Sequence, residues 1–357
     1  MSLPTTFKAA TVAGKGENHI TSERSLSPLK SGEVAIKITA TAINPVDWKI
    51  RDYGVFVQEW PTVLGSDAAG EVVALGPDTS RLSVGDRVFF QGILGNIEST
   101  TFQQYCKMPE ALLAKTPSSI SDEQAAGIQL TTIAAVTAFY DKTGRGLPAP
   151  WDEGGDSVGK GKAVVILGGS SSVGQYAVQL ARLSGFERIV TNASPAHHEY
   201  LTTLGAHAVL DRTNTSLEDY VSTIGDYPLE FVFDTIGARV TQKLGVKILQ
   251  ALKVEGSRVA TVSQADSEAK ELGETKEPKV IVQGVMGFGS APHLRYLSEP
   301  LSEHLGGEDG WIAKGLFTPN RVTVVPGGLD NIEEALAKNK RGVSGEKVVI
   351  RPWDKSE

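Results

Sequence analysis

Two textures of apolar and polar positions divide the chain. Up to about residue 120 the apolar residues come in short β-rich runs: FKAATVA at 7–13, EVAIKITATAI at 33–43, AGEVVALG at 69–76, DRVFFQ at 86–91 and FQQYCKM at 102–108. Gly and Pro separate these runs at short intervals, which predicts a compact β-rich unit. Ser121 followed by Asp122 and Glu123 marks a helix start, and the helix is expected to run to about Tyr140. From residue 162 the rhythm is strand then helix. Strands are predicted at KAVVILG, ERIVTNAS, AHAVLDR, LEFVFDTIG, GSRVATVS and KVIVQGVMG, with helices such as ARVTQKLGVKILQALK between them. This alternation is that of a doubly wound parallel sheet. A helix near 330–340 and a last strand, EKVVIRP, suggest a return to the first domain. Residues 141–162, rich in Gly, Pro and charge, and the charged stretch 265–279 read as loops.

The first strand of the parallel sheet leads into the most informative turn, LGGSSSVGQYAVQLA at 167–181. Gly168 and Gly169 permit a tight turn. Val173, Tyr176, Ala177, Leu180 and Ala181 then place one helix face on the sheet, and Gly174 lets helix and strand approach closely. A helix N-terminus presents N–H groups and a positive dipole end, which suits a pyrophosphate. The dinucleotide pattern G-x-G-x-x-G falls on Gly169, Ser171 and Gly174, with serine in the middle place. Ser170, Ser171 and Ser172 can donate to phosphate oxygens, and Val173 lies in the same turn. An acid binding the ribose 2′-OH is expected at the end of the second strand. That strand ends Thr191-Asn192-Ala193-Ser194 without a carboxylate, which admits a 2′-phosphate. Ser194 and His197 can bind it, and Arg212 can supply charge. NADP(H) is therefore the expected cofactor, with surface roles the alternative for His197 and Arg212.

Composition narrows the class. The chain has 357 residues, formal net charge −7 and one cysteine. About two domains are expected, nucleic-acid binding is not, and a disulfide within the chain is impossible. No run is long enough to span a membrane and the N-terminus lacks a signal-peptide pattern, so a cytoplasmic protein is expected. Cys106 is expected to be inert.

Three segments together, AINPVDWK at 42–49, PTVLGSDAAGEVVALG at 61–76 with VGDRV at 84–88, and the serine-rich turn, resemble the medium-chain dehydrogenase/reductase superfamily in order and spacing along nearly the whole chain. The version with SSSVG and NPVDWK looks most like fungal trans-acting enoyl reductases and ToxD-like proteins, and next like quinone oxidoreductases. The resemblance implies an α/β protein with a GroES-like β-rich catalytic domain at 1–125, a Rossmann domain at 126–290 and a C-terminal return at 291–357.

Zinc alcohol dehydrogenases of this superfamily carry cysteine where this chain has Asn44, and histidine where it has Ser66. They also carry a four-cysteine lobe that one cysteine cannot make. A catalytic zinc needs about three Cys, His or carboxylate ligands, so no metal is expected. Alcohol oxidation without a Lewis acid is difficult, whereas reduction of an activated C=C bond needs only stabilisation of an enolate. The expected function is NADPH-dependent reduction of enone, enoyl or quinone substrates. An enoyl reductase acting in trans on a synthase, a cofactor-binding regulatory protein and a zinc-free alcohol dehydrogenase are the alternatives. A homodimer and a synthase are the partners that the resemblance admits, beside the small-molecule substrate.

The resemblance places Asn44 and Asp47 at the nicotinamide ribose, with Pro45 fixing a turn. Lys49 is the first candidate for proton donor, provided burial lowers its pKa, and Tyr53 is its rival. Trp48 walls the pocket or packs in the core. Thr235, Met286 and Phe288 follow strand ends of the Rossmann sheet, Thr235 as a cofactor contact and the other two as substrate contacts or core. Val343 and Ser344, in VSGEK, resemble a late loop that closes on the nicotinamide half.

Overall fold

The computed structural model describes residues 4–355. These form two compact units, one of residues 131–288 and one of residues up to 130 together with those from 289 on. The first stretch contributes β1 (Phe7–Val12), β2 (His19–Arg24), β3 (Glu33–Ala42), α1 (Pro45–Tyr53), β4 (Thr62–Val63), β5 (Asp67–Leu75), β6 (Arg87–Gln91), β7 (Tyr105–Pro109), β8 (Ala114–Lys115) and α2 (Asp122–Ala126). The β-rich reading is right, but β2 is a polar edge strand, and no apolar alternation announced it. The segment expected to turn at Pro45 is instead a helix. Asn44 caps it, Pro45 fills the first helical position, and Asp47 returns to the Asn44 N–H at 2.7 Å to close a capping box. The helix beginning after Ser121 is also not continuous. It breaks at Gly127 and Ile128, and α3 (Gln129–Tyr140) follows.

Residues 131–288 hold a six-stranded sheet of β9 (Ala163–Leu167), β10 (Arg188–Ala193), β11 (Ala208–Asp211), β12 (Leu229–Asp234), β13 (Arg258–Thr261) and β14 (Ile281–Gly284). Its order is β11-β10-β9-β12-β13-β14, and every neighbouring pair is parallel. The chain steps one way from β9 and then crosses to its other edge. The carboxyl end of β9 is thus the switch point where such sheets bind ligands. The central strands β9, β10, β12 and β13, largely buried on both faces, make the core with α4 (Ser172–Leu183), α5 (His198–Leu204), α6 (Leu217–Ile224) and α7 (Arg239–Ala251). The stretch 265–279, expected as a loop, contains a further helix, α8 (Ser267–Thr275). Asp266 caps it through the amides of Glu268 and Ala269. Its inward residues are small, Ala269 and Gly273, so the periodicity was faint.

The chain then adds α9 (Arg295–Leu305), β15 (Arg321–Val324), α10 (Ile332–Arg341) and β16 (Glu346–Ile350) to the first unit. There β16 pairs antiparallel with the end of β3, Val349 opposite Ala42, while β5 lies on the other edge of β3 with Ala68 opposite Thr41. The C-terminal end of β3 is therefore flanked by residues from far along the chain on both sides. Among the described residues no helix is long and apolar enough to cross a membrane.

Candidate active site

The serine-rich turn follows the switch point at the end of β9. Gly168 has φ +87°, a conformation that other residues adopt only at a cost. A Cβ on Gly174 would lie 2.3 Å from the Gly168 carbonyl oxygen, so only glycine lets α4 sit this close to the strand. Ser171 caps α4 by accepting the Gly174 N–H at 2.9 Å, and the first-turn amides of Ser172 and Val173 stand at the helix start, where an anion can be bound. Asn192 accepts the Gly168 N–H at 2.7 Å and braces the turn from β10. Thr235, expected to contact the cofactor, lies beside the turn, where its hydroxyl has a bracing role. It donates to Leu167 O at 2.8 Å and lies 2.9 Å from Ser171 Oγ. Ser170, Ser172 and Val173 are half-buried around the same turn.

Beyond β10, Ser194 and His197 are half-buried about a short 3-10 turn. Exposed Arg212 is tied to them through its amide, which donates to Ala193 O at 3.1 Å. The structure thus brings Ser194, His197 and Arg212 to one edge of the nucleotide turn. The one nearby strand-end acid, Asp211, is turned into its own loop, accepting Thr213 N at 3.0 Å and Thr213 Oγ1 at 2.8 Å. This half of the molecule fits a dinucleotide: a helix start of four turn residues, glycines where a Cβ would collide, and hydroxyls around it.

The first unit holds a different arrangement. Asn44, Asp47, Ser66, Asp67 and Lys347 form one polar cluster, all at most 3 % exposed. The register explains it: β16 runs beside β3 so that Lys347 falls beside Asn44, and β5 begins at Asp67 on the opposite edge. Lys347 Nζ donates to Asn44 Oδ1 at 2.5 Å and lies 3.6 Å from Asp67 Oδ2. Asn44 Nδ2 faces Ser66 Oγ and Asp67 Oδ2, each at 3.4 Å. Ser66 Oγ donates to Asp47 Oδ1 at 2.8 Å, and Leu130 N donates to Asp67 Oδ1 at 3.1 Å. Gly127, at the helix break, makes room for the lysine stem: a Cβ there would lie 2.8 Å from Lys347 Cγ.

Burial sets the electrostatics of this cluster. Desolvation pushes Asp47 up to about 7, against the hydrogen bonds from Asn44 and Ser66 and the charge of Lys347. It pushes Asp67 up to about 6, held back chiefly by Lys347. Lys347 is itself lowered by burial and pulled up by both carboxyls. Asp67 is the carboxyl within ion-pair distance of the ammonium, so it is the ion-pair partner.

Several expected roles change here. Asp47 is fully buried, and its carboxyl accepts from Asn44 N and Ser66 Oγ instead of facing outward toward a ribose. Asn44, fully buried, is likewise engaged internally. Lys49 and Tyr53 are exposed on α1, Tyr53 at 60 %, because four-residue spacing puts them together on the face turned away from Asp47. Lys347, by contrast, is buried. It stands in the VSGEK segment, three positions after Ser344, and was not singled out because a lone lysine in a strand gives no signal of burial. Trp48 packs at the edge of the first unit's core. Its Nε1 donates to Asn339 at 3.1 Å, and Lys49 and Lys340 lie over its ring at 5.5 and 5.4 Å. Val343 packs against that same core and Ser344 is exposed. Met286 is 63 % exposed, so it is not core, and Phe288 is half-buried. Cys106 is buried, and its thiol is pushed up by desolvation.

The cluster does not fit a zinc ion. An amide, a hydroxyl and an ammonium occupy it where thiolate and imidazole would be needed. Among the described residues no group of three or more His, Cys, Asp and Glu could hold a metal.

Comparison with known proteins agrees with this layout. Residues 30–118 match the model of the alcohol dehydrogenase GroES-like domain, and residues 172–262 that of the zinc-binding dehydrogenases. The chain is 30% identical over 324 residues to trans-enoyl reductase himH of Aspergillus japonicus, covering 89% of each chain. It is 29% identical over 338 residues to lovC of Aspergillus terreus, the enoyl reductase component of the lovastatin nonaketide synthase, covering 90% of each. A solved alcohol dehydrogenase superfamily protein from Novosphingobium aromaticivorans superposes with a TM-score of 0.76 at 23% identity, over 97% of this chain and 99% of that one. With a GroES-like unit, a six-stranded Rossmann sheet and homology over nearly its full length, the chain is a member of the medium-chain dehydrogenase/reductase superfamily.

Proposed function

We propose that this protein is an NADPH-dependent reductase of activated C=C bonds, acting on enone, enoyl thioester or quinone substrates without a metal. The observation that carries the reading is the donor set in the first unit. Asn44 and Ser66, at the positions where zinc alcohol dehydrogenases carry cysteine and histidine, stand together with Lys347, and the three offer a metal no thiolate or imidazole. A conjugated substrate needs no Lewis acid, since its own carbonyl spreads the developing charge. A bound nicotinamide nucleotide supplies the hydride.

The chain's own residues supply the rest. The α4 start with Ser170, Ser171, Ser172, Val173 and Gly174 holds the pyrophosphate. Ser194, His197 and Arg212 receive the 2′-phosphate, which no carboxylate at the end of β10 opposes. Lys49 and its rival Tyr53 lie exposed on the outward face of α1, without the burial a side-chain donor was expected to need, so water is the proton source for the α-carbon. Met286 and Phe288 contact substrate, with Val343 and Ser344 beside the nicotinamide half. The name of lovC favours a second reading of the same chemistry, in which the substrate arrives on a synthase partner.

A panel of enones, enoyl thioesters, quinones, aldehydes and alcohols, followed by nicotinamide absorbance with NADPH and with NADH, tests the reading. Oxidation of NADPH by conjugated acceptors, at least about tenfold preferred over NADH, is expected. Turnover of alcohols only, or binding of NADPH without oxidation by any acceptor, would contradict it. Activity confined to carrier-bound thioesters would select the synthase-linked form.

A further inference from the structure

We propose that Asn192 is the positioning residue of the nucleotide turn, and that Tyr220 of α6 holds its amide in place, so that a buried phenol helps to shape the turn for a dinucleotide. The inference rests on the proposed binding of NADPH at this turn and names the residues that hold the turn in form for it.

Asn192 lies one residue before the end of β10, 8 % exposed, and its polar groups are all occupied. Its carboxamide oxygen accepts the Gly168 N–H at 2.7 Å, and its main-chain oxygen accepts the Gly169 N–H at 3.0 Å. Two successive peptide groups of the turn are thereby tied to one residue of the neighbouring strand. Gly168 O then accepts the Ser171 N–H at 2.9 Å, and Ser171 Oγ caps α4 through Gly174. The place of the helix start is therefore inherited, bond by bond, from Asn192.

The other half of the amide faces Tyr220, which is 1 % exposed in the core of the same unit. Burial pushes the phenol up to about 12, and the hydrogen bond with Asn192 acts against that push. A bond that favours the ionised phenol is one in which the amide donates, so Nδ2 is turned to Tyr220 while Oδ1 is presented to Gly168. Without the phenol oxygen, Nδ2 is an unpaired donor in a dry place, and the amide gains by turning away from Gly168.

A double-mutant cycle in the full-length protein, read by calorimetric titration with NADPH, tests the relay. Asn192→Leu removes both bonds of the amide at similar volume and is expected to weaken NADPH binding at least about tenfold. Tyr220→Phe is expected to weaken it about threefold or more, and the double variant no further than Asn192→Leu alone. Losses that multiply in the double variant would overturn the relay. Unaltered NADPH affinity in Asn192→Leu would overturn the positioning role.

A second readout needs no nucleotide. In the unliganded protein, hydrogen exchange of the Gly168 amide, followed by NMR, is expected to be at least about tenfold faster in Asn192→Leu and in Tyr220→Phe. Asn192→Asp, whose carboxylate still accepts from Gly168, is expected to keep that amide slow. Equal Gly168 exchange in the unaltered, Tyr220→Phe and Asn192→Leu proteins would refute the inference. So would acceleration spread evenly along β9 and β12, the mark of a residue that only stabilises the fold. An unaltered chain that binds no NADPH would contradict the proposed function and the binding role, and the exchange readout judges the Tyr220–Asn192 brace apart from it.

Discussion

The nucleotide turn of one unit and the buried polar cluster of the other differ in how they are made. The nucleotide turn is assembled from consecutive residues, 167–174, whose work is done by backbone geometry and by the absence of side chains. The cluster in the first unit is assembled from residues 44, 47, 66, 67 and 347, and its work is done by buried charge. The turn needs only local steric permission, and its polar groups remain in reach of water and ligand. The cluster is dry, and each member is tolerable only because the others are present. The contrast implies that the turn loses binding before stability, whereas the cluster loses stability and function together.

The sharpest way to break that contrast is Asp67→Ala, which leaves the Lys347 ammonium buried without its partner. The expected cost is about 3–5 kcal/mol, read from urea unfolding. A cost within error of zero would mean that the lysine reaches water. Next is Gly174→Ala. Its new Cβ must displace the Gly168 carbonyl, so NADPH affinity should fall at least about tenfold. Stability should fall by about 1–3 kcal/mol, both measurable by calorimetry. Ser171→Ala removes the α4 cap at a cost of about 1 kcal/mol, visible as a small drop in melting temperature. A larger loss there than in Asp67→Ala would reverse the comparison.

A further prediction is a pH dependence. Asp47 is raised from the usual 3.8 to about 7, and Asp67 to about 6. Above the ordinary carboxylate range the unfolded chain has released protons that the native cluster still holds. The stability of the native state contributed by these groups therefore falls as pH rises from about 4 to about 7. Asp47→Asn removes one of them, so its stability difference from the unaltered protein should shrink over that window in thermal melts. A difference that grows with pH would give the opposite sign.

What could be read from sequence followed the same division. The turn was legible because Gly168, Gly174 and the serines are neighbours in the chain and the β9 run points into them. The alternating strands of 162–287 were legible for the same reason. Lys347 was not, because its burial depends on β16 returning to β3 from some three hundred residues away. Helix α1 was missed because its inward residue, Asp47, is charged, and a buried charge imitates a surface one in any pattern of polarity. The break at Gly127 was missed because a single glycine inside an otherwise helical pattern does not by itself fix a helix end. Helix α8 was read as a loop because Ala269 and Gly273 bury too little apolar surface to mark a face.

The central claim is metal-free reduction of a conjugated bond, and one measurement reaches it most directly. The protein is dialysed exhaustively against a chelator and supplied with NADPH deuterated at the nicotinamide C4 and an α,β-unsaturated thioester or enone. The account predicts undiminished turnover with deuterium on the β-carbon of the product. Turnover lost on chelation and restored by zinc, or deuterium delivered to a carbonyl carbon, would contradict it.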